Sequence, residues 1–145
     1  MKLYTFPPAP NPRRLQTYLG EKQIRIPQQL VSLPKGEHKS PEIIAKNPLG
    51  SLPILELDDG TVLTESLAII EYLEELHPEP PMIGTTPLER AQVRRTERIC
   101  ELGVLMRISR IVHNTDSPLP GVVGIPEVAK KAREELPTLL RVLED

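Results

Sequence analysis

Aromatic side chains are nearly missing from this chain. Its 145 residues include no tryptophan, one phenylalanine and three tyrosines, while 39% are hydrophobic. The core must therefore be aliphatic, packed from Leu, Ile and Val. Cysteine occurs once, at Cys100. One thiol excludes an internal disulfide framework and a CxxC redox pair, and it fits a reducing compartment. The cytoplasm is the expected location. No apolar run is long enough to span a bilayer, and the opening MKLYTF reads as a strand rather than a signal peptide. Charge of either sign is not in excess, with a formal net charge of -2. The arginines between Arg90 and Arg110 alternate with Glu89, Glu97 and Glu101. That mixture reads as a solvated or interface helix face, so no nucleic-acid or membrane partner is expected. No spacing of His, Cys, Asp or Glu suits a metal ion, and no bound cofactor is expected.

What the chain does have is proline, 17 residues of it. Pro12, Pro41, Pro53, Pro87 and Pro126 each stand where an element begins, and the first helical turn tolerates a residue without an N–H. Residues 2–6 read as a first strand. Asn11 reads as the cap of a helix with Pro12 at its first position, and Leu15, Tyr18 and Leu19 share a face. A second strand lies within 24–33. Ser40-Pro41 starts a short helix that Asn47-Pro48 ends. Pro53 opens a strand, Asp59-Gly60 turns it, and residues 61–63 return. A helix over 65–76, capped by Thr64, has an apolar stripe of Ala68, Ile69, Tyr72, Leu73 and Leu76. After a proline-rich spacer, Thr86-Pro87-Leu88-Glu89 forms a capping box for a long helix reaching about His113. A last helix starts at Pro126, with Pro137 expected to kink it or shift its start. Cys100 falls on the apolar stripe of the long helix, where a buried, inert thiol is expected.

The order β-α-β, α, β-β-α and then helices alone gives an α/β domain over residues 1–80 and an all-α segment over 86–145. The stretch from Asn47 to Ser66 is the most telling. A tight loop, a proline-opened strand, a hairpin and a helix start follow one another. They place a small sheet end against a helix N-terminus, a setting that suits a short peptide carrying a carboxylate.

These residues resemble the cytosolic glutathione transferases. The resemblance rests on Asn47-Pro48-x-Gly50, Leu52-Pro53-x-Leu55, Asp59-Gly60 and Glu65-Ser66-x-Ala68-Ile69-x-x-Tyr72-Leu73. It implies a thioredoxin-like glutathione-binding domain followed by the start of the family's all-helical domain, so the chain is expected to be incomplete. By resemblance, Pro53 follows a cis bond, and the backbone of Leu52 pairs with the cysteinyl unit of glutathione. Ser66 holds the γ-glutamyl carboxylate, and Glu65 its ammonium group or the network around it. His38 and Lys39 either meet the glycyl carboxylate or form a solvated basic loop. Gly50 stands where some members carry a histidine.

The resemblance implies a transferase, with disulfide reductase or peroxidase chemistry as variants, and a role in detoxification. Glutathione is the co-substrate, and its thiolate attacks a small hydrophobic electrophile. The family's thiol-activating hydroxyl or cysteine is absent, since Ala9 and Pro10 occupy those positions. Asn11 is the candidate catalytic residue, its amide either donating to the thiolate or serving as a helix cap. Tyr4 and Thr5 are secondary candidates. Met106 and Arg110 would form part of the electrophile wall, and an apolar patch around Val104, Ile108, Leu136 and Leu140 is expected to be open. The family's two-fold dimer is expected as well. The missing hydroxyl also supports a second reading, a non-catalytic module used for dimerisation or assembly.

Overall fold

A computed structural model describes residues 1–144. The chain divides into two compact units, Met1–Met82 and the residues from Ile83 onward. In the first, strands β1 (Lys2–Thr5), β2 (Gln28–Leu30), β3 (Ile54–Glu56) and β4 (Val62–Thr64) form one mixed sheet in the order β2-β1-β3-β4. β1 runs parallel to β2 and antiparallel to β3, and β4 is antiparallel to β3. Helices α1 (Pro10–Glu21), α2 (Pro41–Lys46) and α3 (Ser66–Leu76) complete the unit.

Strand side chains alternate between faces. Tyr4 and Ile54 therefore share one face, where they pack with Val31, Leu52 and Ile43 of α2. Leu3 and Leu55 point the other way. Helices α1 and α3 pack on each other, and Leu15, Ile69 and Leu73 are fully buried. Each such side chain contributes about 1.5–3 kcal/mol, so an aliphatic core suffices without aromatic rings.

The helix starts differ from the sequence expectation. Ala9, not Asn11, caps α1, and it makes no side-chain cap bond. Proline's fixed φ suits the first helical position, and here Pro10 takes it, moving Asn11 from the cap to the second helical position. Helix α3 begins at Ser66, with Glu65 rather than Thr64 at the cap position. Its buried stripe is Ser66, Ile69, Ile70, Leu73 and Glu74. Ala68 and Leu76, expected on that stripe, are exposed; the helical period turns Ala68 away from Ile69 and Leu73, whereas Leu76 shares their side but is the last residue of the helix.

In the second unit, α4 (Pro87–Arg98) continues through a wide π turn, Ile99–Leu105, into α5 (Met106–His113). The capping box is present: Thr86 Oγ1 accepts from the Glu89 N–H at 3.2 Å, and Glu89 Oε2 accepts from the Thr86 N–H at 3.2 Å. Helix α6 (Pro126–Glu144) starts where expected and runs through Pro137 without ending. It packs on α5 and the π turn, where Gly103 is buried and a Cβ would stand 3.5 Å from Leu139. Cys100 is exposed, not buried. Charged residues occupy α4 on every side and no residue of α4 is buried, so the stripe of Val93 and Cys100 faces solvent. Of the expected apolar patch, Ile108 and Leu140 are exposed and Val104 and Leu136 are half-buried. Among the described residues, no helix is long and apolar enough to cross a membrane, and no cluster of His, Cys, Asp or Glu could hold a metal ion.

Candidate functional site

The sheet register gathers most of the candidate residues of the first unit at one end. Tyr4 pairs with Ile54, and Ile54 with Thr64. One step further along the three strands lie Thr5, Pro53 and Glu65, and then Phe6, Leu52 and Ser66. The end of β1, the entry to β3 and the N-terminus of α3 therefore share one rim. The β1–α1 loop leaves from the same place, which brings the start of α1 close.

The Leu52-Pro53 peptide is cis, as the resemblance implied, and so is Glu79-Pro80. Leu52 is buried, and the ladder begins only at Ile54. Among the described residues no hydrogen bond outside the ladders uses the Leu52 N–H or C=O. A buried side chain thus anchors a backbone whose polar groups are unspent. Across the rim, Ser66 is buried at the first position of α3. Free N–H groups and the helix dipole favour an anion at that point. Glu65 is exposed and takes φ +65°, ψ 116°, a conformation that L residues avoid. Such outliers gather at ligand sites.

Asn11 lies at the second position of α1, and its Oδ1 accepts from Arg14 Nη2 at 3.2 Å. Its oxygen is therefore tied along the helix and not used as a cap, which leaves the amide nitrogen as the donor. The backbone adds a second donor. Of the first three helical residues, Pro10 and Pro12 have no N–H, and the Arg13 N–H is already bonded to the Ala9 carbonyl at 2.9 Å. Asn11 alone offers a free main-chain N–H in that turn. Arg13 Nε donates to the Pro7 carbonyl at 3.2 Å and braces the loop.

The Tyr4 hydroxyl is already engaged. It donates to Glu56 Oε2 at 2.7 Å, and Lys46 Nζ meets Glu56 Oε1 at 2.9 Å. The Lys46 ammonium first, and then the Tyr4 hydroxyl, hold the Glu56 carboxyl below its ordinary range. The Thr5 hydroxyl is buried and has no partner among the described residues. His38 and Lys39 sit in a 3₁₀ turn, Glu37–Lys39, and His38 Nδ1 is buried with no partner among the described residues. A Cβ at Gly50 would stand 3.2 Å from the His38 carbonyl, so the loop leading to Leu52 rests on this turn. A groove of about 570 Å³ is lined by Phe6, Pro7, Pro8 and Leu30, with Lys35 and Glu37 at its polar part. Met106 and Arg110 belong to the second unit, where both are exposed on α5 one turn apart.

Two features escaped the sequence reading. Asn47 is 3% exposed and stitches the loop before Leu52 with its side chain. Lys22 and Glu74 form a buried ion pair at 2.7 Å. The charges were visible in the sequence, but their pairing across 52 positions was not.

This arrangement is that of a known sequence family. The family model for the glutathione S-transferase N-terminal domain matches residues 3–81, more than half of the chain. The chain belongs to the glutathione S-transferase family. Its first unit is the family's thioredoxin-like domain, and helices follow it. It is similar to glutathione S-transferase 2 of Saccharomyces cerevisiae, at 41% identity over 116 residues, covering 79% of this chain and 50% of that one. It is also similar to maleylacetoacetate isomerase of Pseudomonas aeruginosa, at 41% identity over 96 residues, covering 65% and 45%. Among solved structures, Gtt2 of Saccharomyces cerevisiae superposes with a TM-score of 0.88 at 35% identity, over 98% of this chain and 71% of that one. The chain thus spans about half the length of these curated relatives.

Proposed function

We propose that this glutathione S-transferase family member binds glutathione along the rim of its first unit and activates the thiol for attack on a small hydrophobic electrophile. The carrying observation is the unspent backbone of Leu52 opposite the N-terminus of α3, with the start of α1 beside them. The cysteinyl backbone of glutathione adds to Leu52 as an extra strand would. Ser66 and the first turn of α3 take the γ-glutamyl carboxylate, and Glu65 faces the ammonium group. His38 and Lys39 are placed to meet the glycyl carboxylate with a charge-assisted bond.

Thiol activation needs no side-chain hydroxyl. Lowering a free thiol from about 8.5 to neutrality takes about 2 kcal/mol. A helix N-terminus supplies about 0.3–1 kcal/mol and a hydrogen bond to a charged acceptor about 1.5–3 kcal/mol. The Asn11 main-chain N–H and Nδ2, at the start of α1, are of sufficient strength together. The thiolate then displaces a leaving group from an electrophilic carbon, or attacks a disulfide or peroxide. Met106 and Arg110 are proposed as part of the electrophile wall. No prosthetic group enters this chemistry. A homodimer working in the cytoplasm, in detoxification, completes the proposal.

The test is retention on immobilised glutathione. The protein is expected to bind and to elute with free glutathione, and Ser66→Ala to pass through. Equal retention of Ser66→Ala, properly folded, contradicts the site assignment. Glutathione binding without turnover of any electrophile, disulfide or peroxide favours the non-catalytic module instead.

A further inference from the structure

The loop from Asn47 to Leu52 is held from within by one side chain. The Asn47 N–H closes α2 on the Ile43 carbonyl at 2.8 Å, and its carbonyl accepts from the Gly50 N–H at 2.8 Å. Its Oδ1 accepts from the Leu49 N–H at 3.2 Å. Its Nδ2 donates to the Ser51 carbonyl and to Ser51 Oγ, both at 2.9 Å. Every polar group of this buried residue is engaged, as burial requires.

The bond to the Ser51 carbonyl has a further effect. That carbonyl and the Leu52 N–H belong to the same peptide unit. The unit is planar, and in the trans form its C=O and N–H point in opposite directions. Only the Leu52-Pro53 and Glu79-Pro80 peptides are cis among the described residues, so the Ser51-Leu52 unit is trans. Drawing the Ser51 oxygen inward, onto Asn47, turns the Leu52 N–H outward. Gly50 lets the turn close: its φ is +61°, and the space at its Cβ position is bounded by the His38 carbonyl at 3.2 Å and Ile44 Cδ1 at 3.3 Å. The loop therefore cannot slide towards α2 or the His38 turn.

We propose that Asn47 is a positioning residue that aims the Leu52 N–H at the cysteinyl carbonyl of glutathione. The proposal rests on the glutathione reading given above. Asn47 does not touch the ligand. It acts through the Ser51-Leu52 peptide plane, using both ends of its side-chain amide. It must accept from Leu49 and donate to Ser51 at once. Aspartate keeps the shape and the acceptor but sets a carboxylate oxygen against the Ser51 carbonyl.

The experiment compares wild type, Asn47→Asp and Asn47→Ala by glutathione titration, steady-state kinetics and amide exchange followed by NMR. In the wild type, the Leu52 amide exchanges fast when free and slows at saturating glutathione, as do the amides that open α3. In Asn47→Asp the Kd and KM for glutathione rise about tenfold, the loss of one charge-independent bond. At saturation kcat stays within about twofold, because the thiol site at α1 is untouched. The ligand-induced slowing at Leu52 is lost, while that at the start of α3 remains. A merely structural role would lower melting temperature and leave this contrast between the two segments unchanged. Wild-type affinity and wild-type Leu52 slowing in a folded Asn47→Asp overturn the proposal. If both variants fail to fold, the wild type decides: a Leu52 amide already slow without glutathione overturns it, and one slowed only by glutathione supports it. A wild type that binds no glutathione overturns the parent reading and this one together, an outcome distinct from failure of the variants alone.

Discussion

Glu65 occupies φ +65° without being glycine, a conformation costing about 1–3 kcal/mol. Its exposure means that no packing rewards the strain. Glu65→Gly is therefore expected to hold or raise stability by about 0.5–1 kcal/mol, the relief slightly exceeding glycine's entropy cost. Glutathione affinity should fall about tenfold or more. Thermal melting and calorimetry of the same sample read both effects, and a destabilised variant with full affinity contradicts this role. Asn11 can be dissected by two substitutions. Asn11→Ala removes Nδ2 and keeps the main-chain N–H, whereas Asn11→Pro removes both in a helical turn that tolerates proline. The thiol of bound glutathione should titrate about one unit higher in the first and near its free value of about 8.5 in the second. Identical titration in all three proteins would exclude Asn11 from thiol activation. The two residues also mark how legible the site was. Leu52, Pro53, Glu65 and Ser66 are readable because loop, hairpin and helix start follow in an order that leaves local signatures. The position of Asn11 relative to the start of α1 was not legible, since Pro10 and Pro12 compete for the same helix start and only three-dimensional packing decides between them.

Helices α1 and α3 are joined by a buried polar network that sequence periodicity does not reveal. Lys22 Nζ, with no exposed surface, contacts Glu74 Oε2 at 2.7 Å and donates to the His77 carbonyl at 2.6 Å. The Tyr18 hydroxyl donates to Glu74 Oε2 at 2.7 Å, and the Met82 N–H to Glu74 Oε1 at 2.7 Å. Burial alone pushes the Glu74 carboxyl up, but Lys22, the Met82 N–H and Tyr18 together hold it below its ordinary 4.5. Burial, and then the Glu74 carboxylate, push the Tyr18 hydroxyl well above its ordinary 10.0. A depressed carboxyl stabilises the fold above its unfolded pKa and ceases to do so as pH falls through the folded one. Stability from Glu74 should thus be complete above about pH 4.5 and lost below it, and that from Tyr18 should be lost as pH climbs past about 10. Lys22→Met leaves Glu74 buried without its cation and should cost about 3 kcal/mol in urea unfolding at neutral pH. A loss under 1 kcal/mol would mean that the pair is solvated in practice. Elements with local signals, such as the Thr86–Glu89 capping box and the start of α6 at Pro126, were readable from sequence. The exposure of Cys100 was not, because whether an apolar stripe is covered depends on what packs there.

The whole chain combines a well-buried α/β unit with a helical unit that leaves much apolar surface open. Leu102, Met106 and Ile108, and Leu140, Val142 and Leu143 of α6, are each at least 38% exposed. Surfaces of this kind favour association. Sedimentation velocity should therefore show concentration-dependent dimers or larger species, and a strictly monomeric chain at high concentration would argue against the proposed homodimer. The architecture was legible because each unit has its own pattern, alternating strands with a hairpin in one and long helical periods in the other. The central claim is that the first unit holds glutathione between the Leu52 backbone and the N-terminus of α3. Calorimetric titration of the full chain with glutathione tests it most directly. The account predicts saturable binding of one tripeptide per chain, abolished in Ser66→Ala while melting temperature is preserved. No binding by the folded wild-type protein, or equal binding by Ser66→Ala, would contradict it.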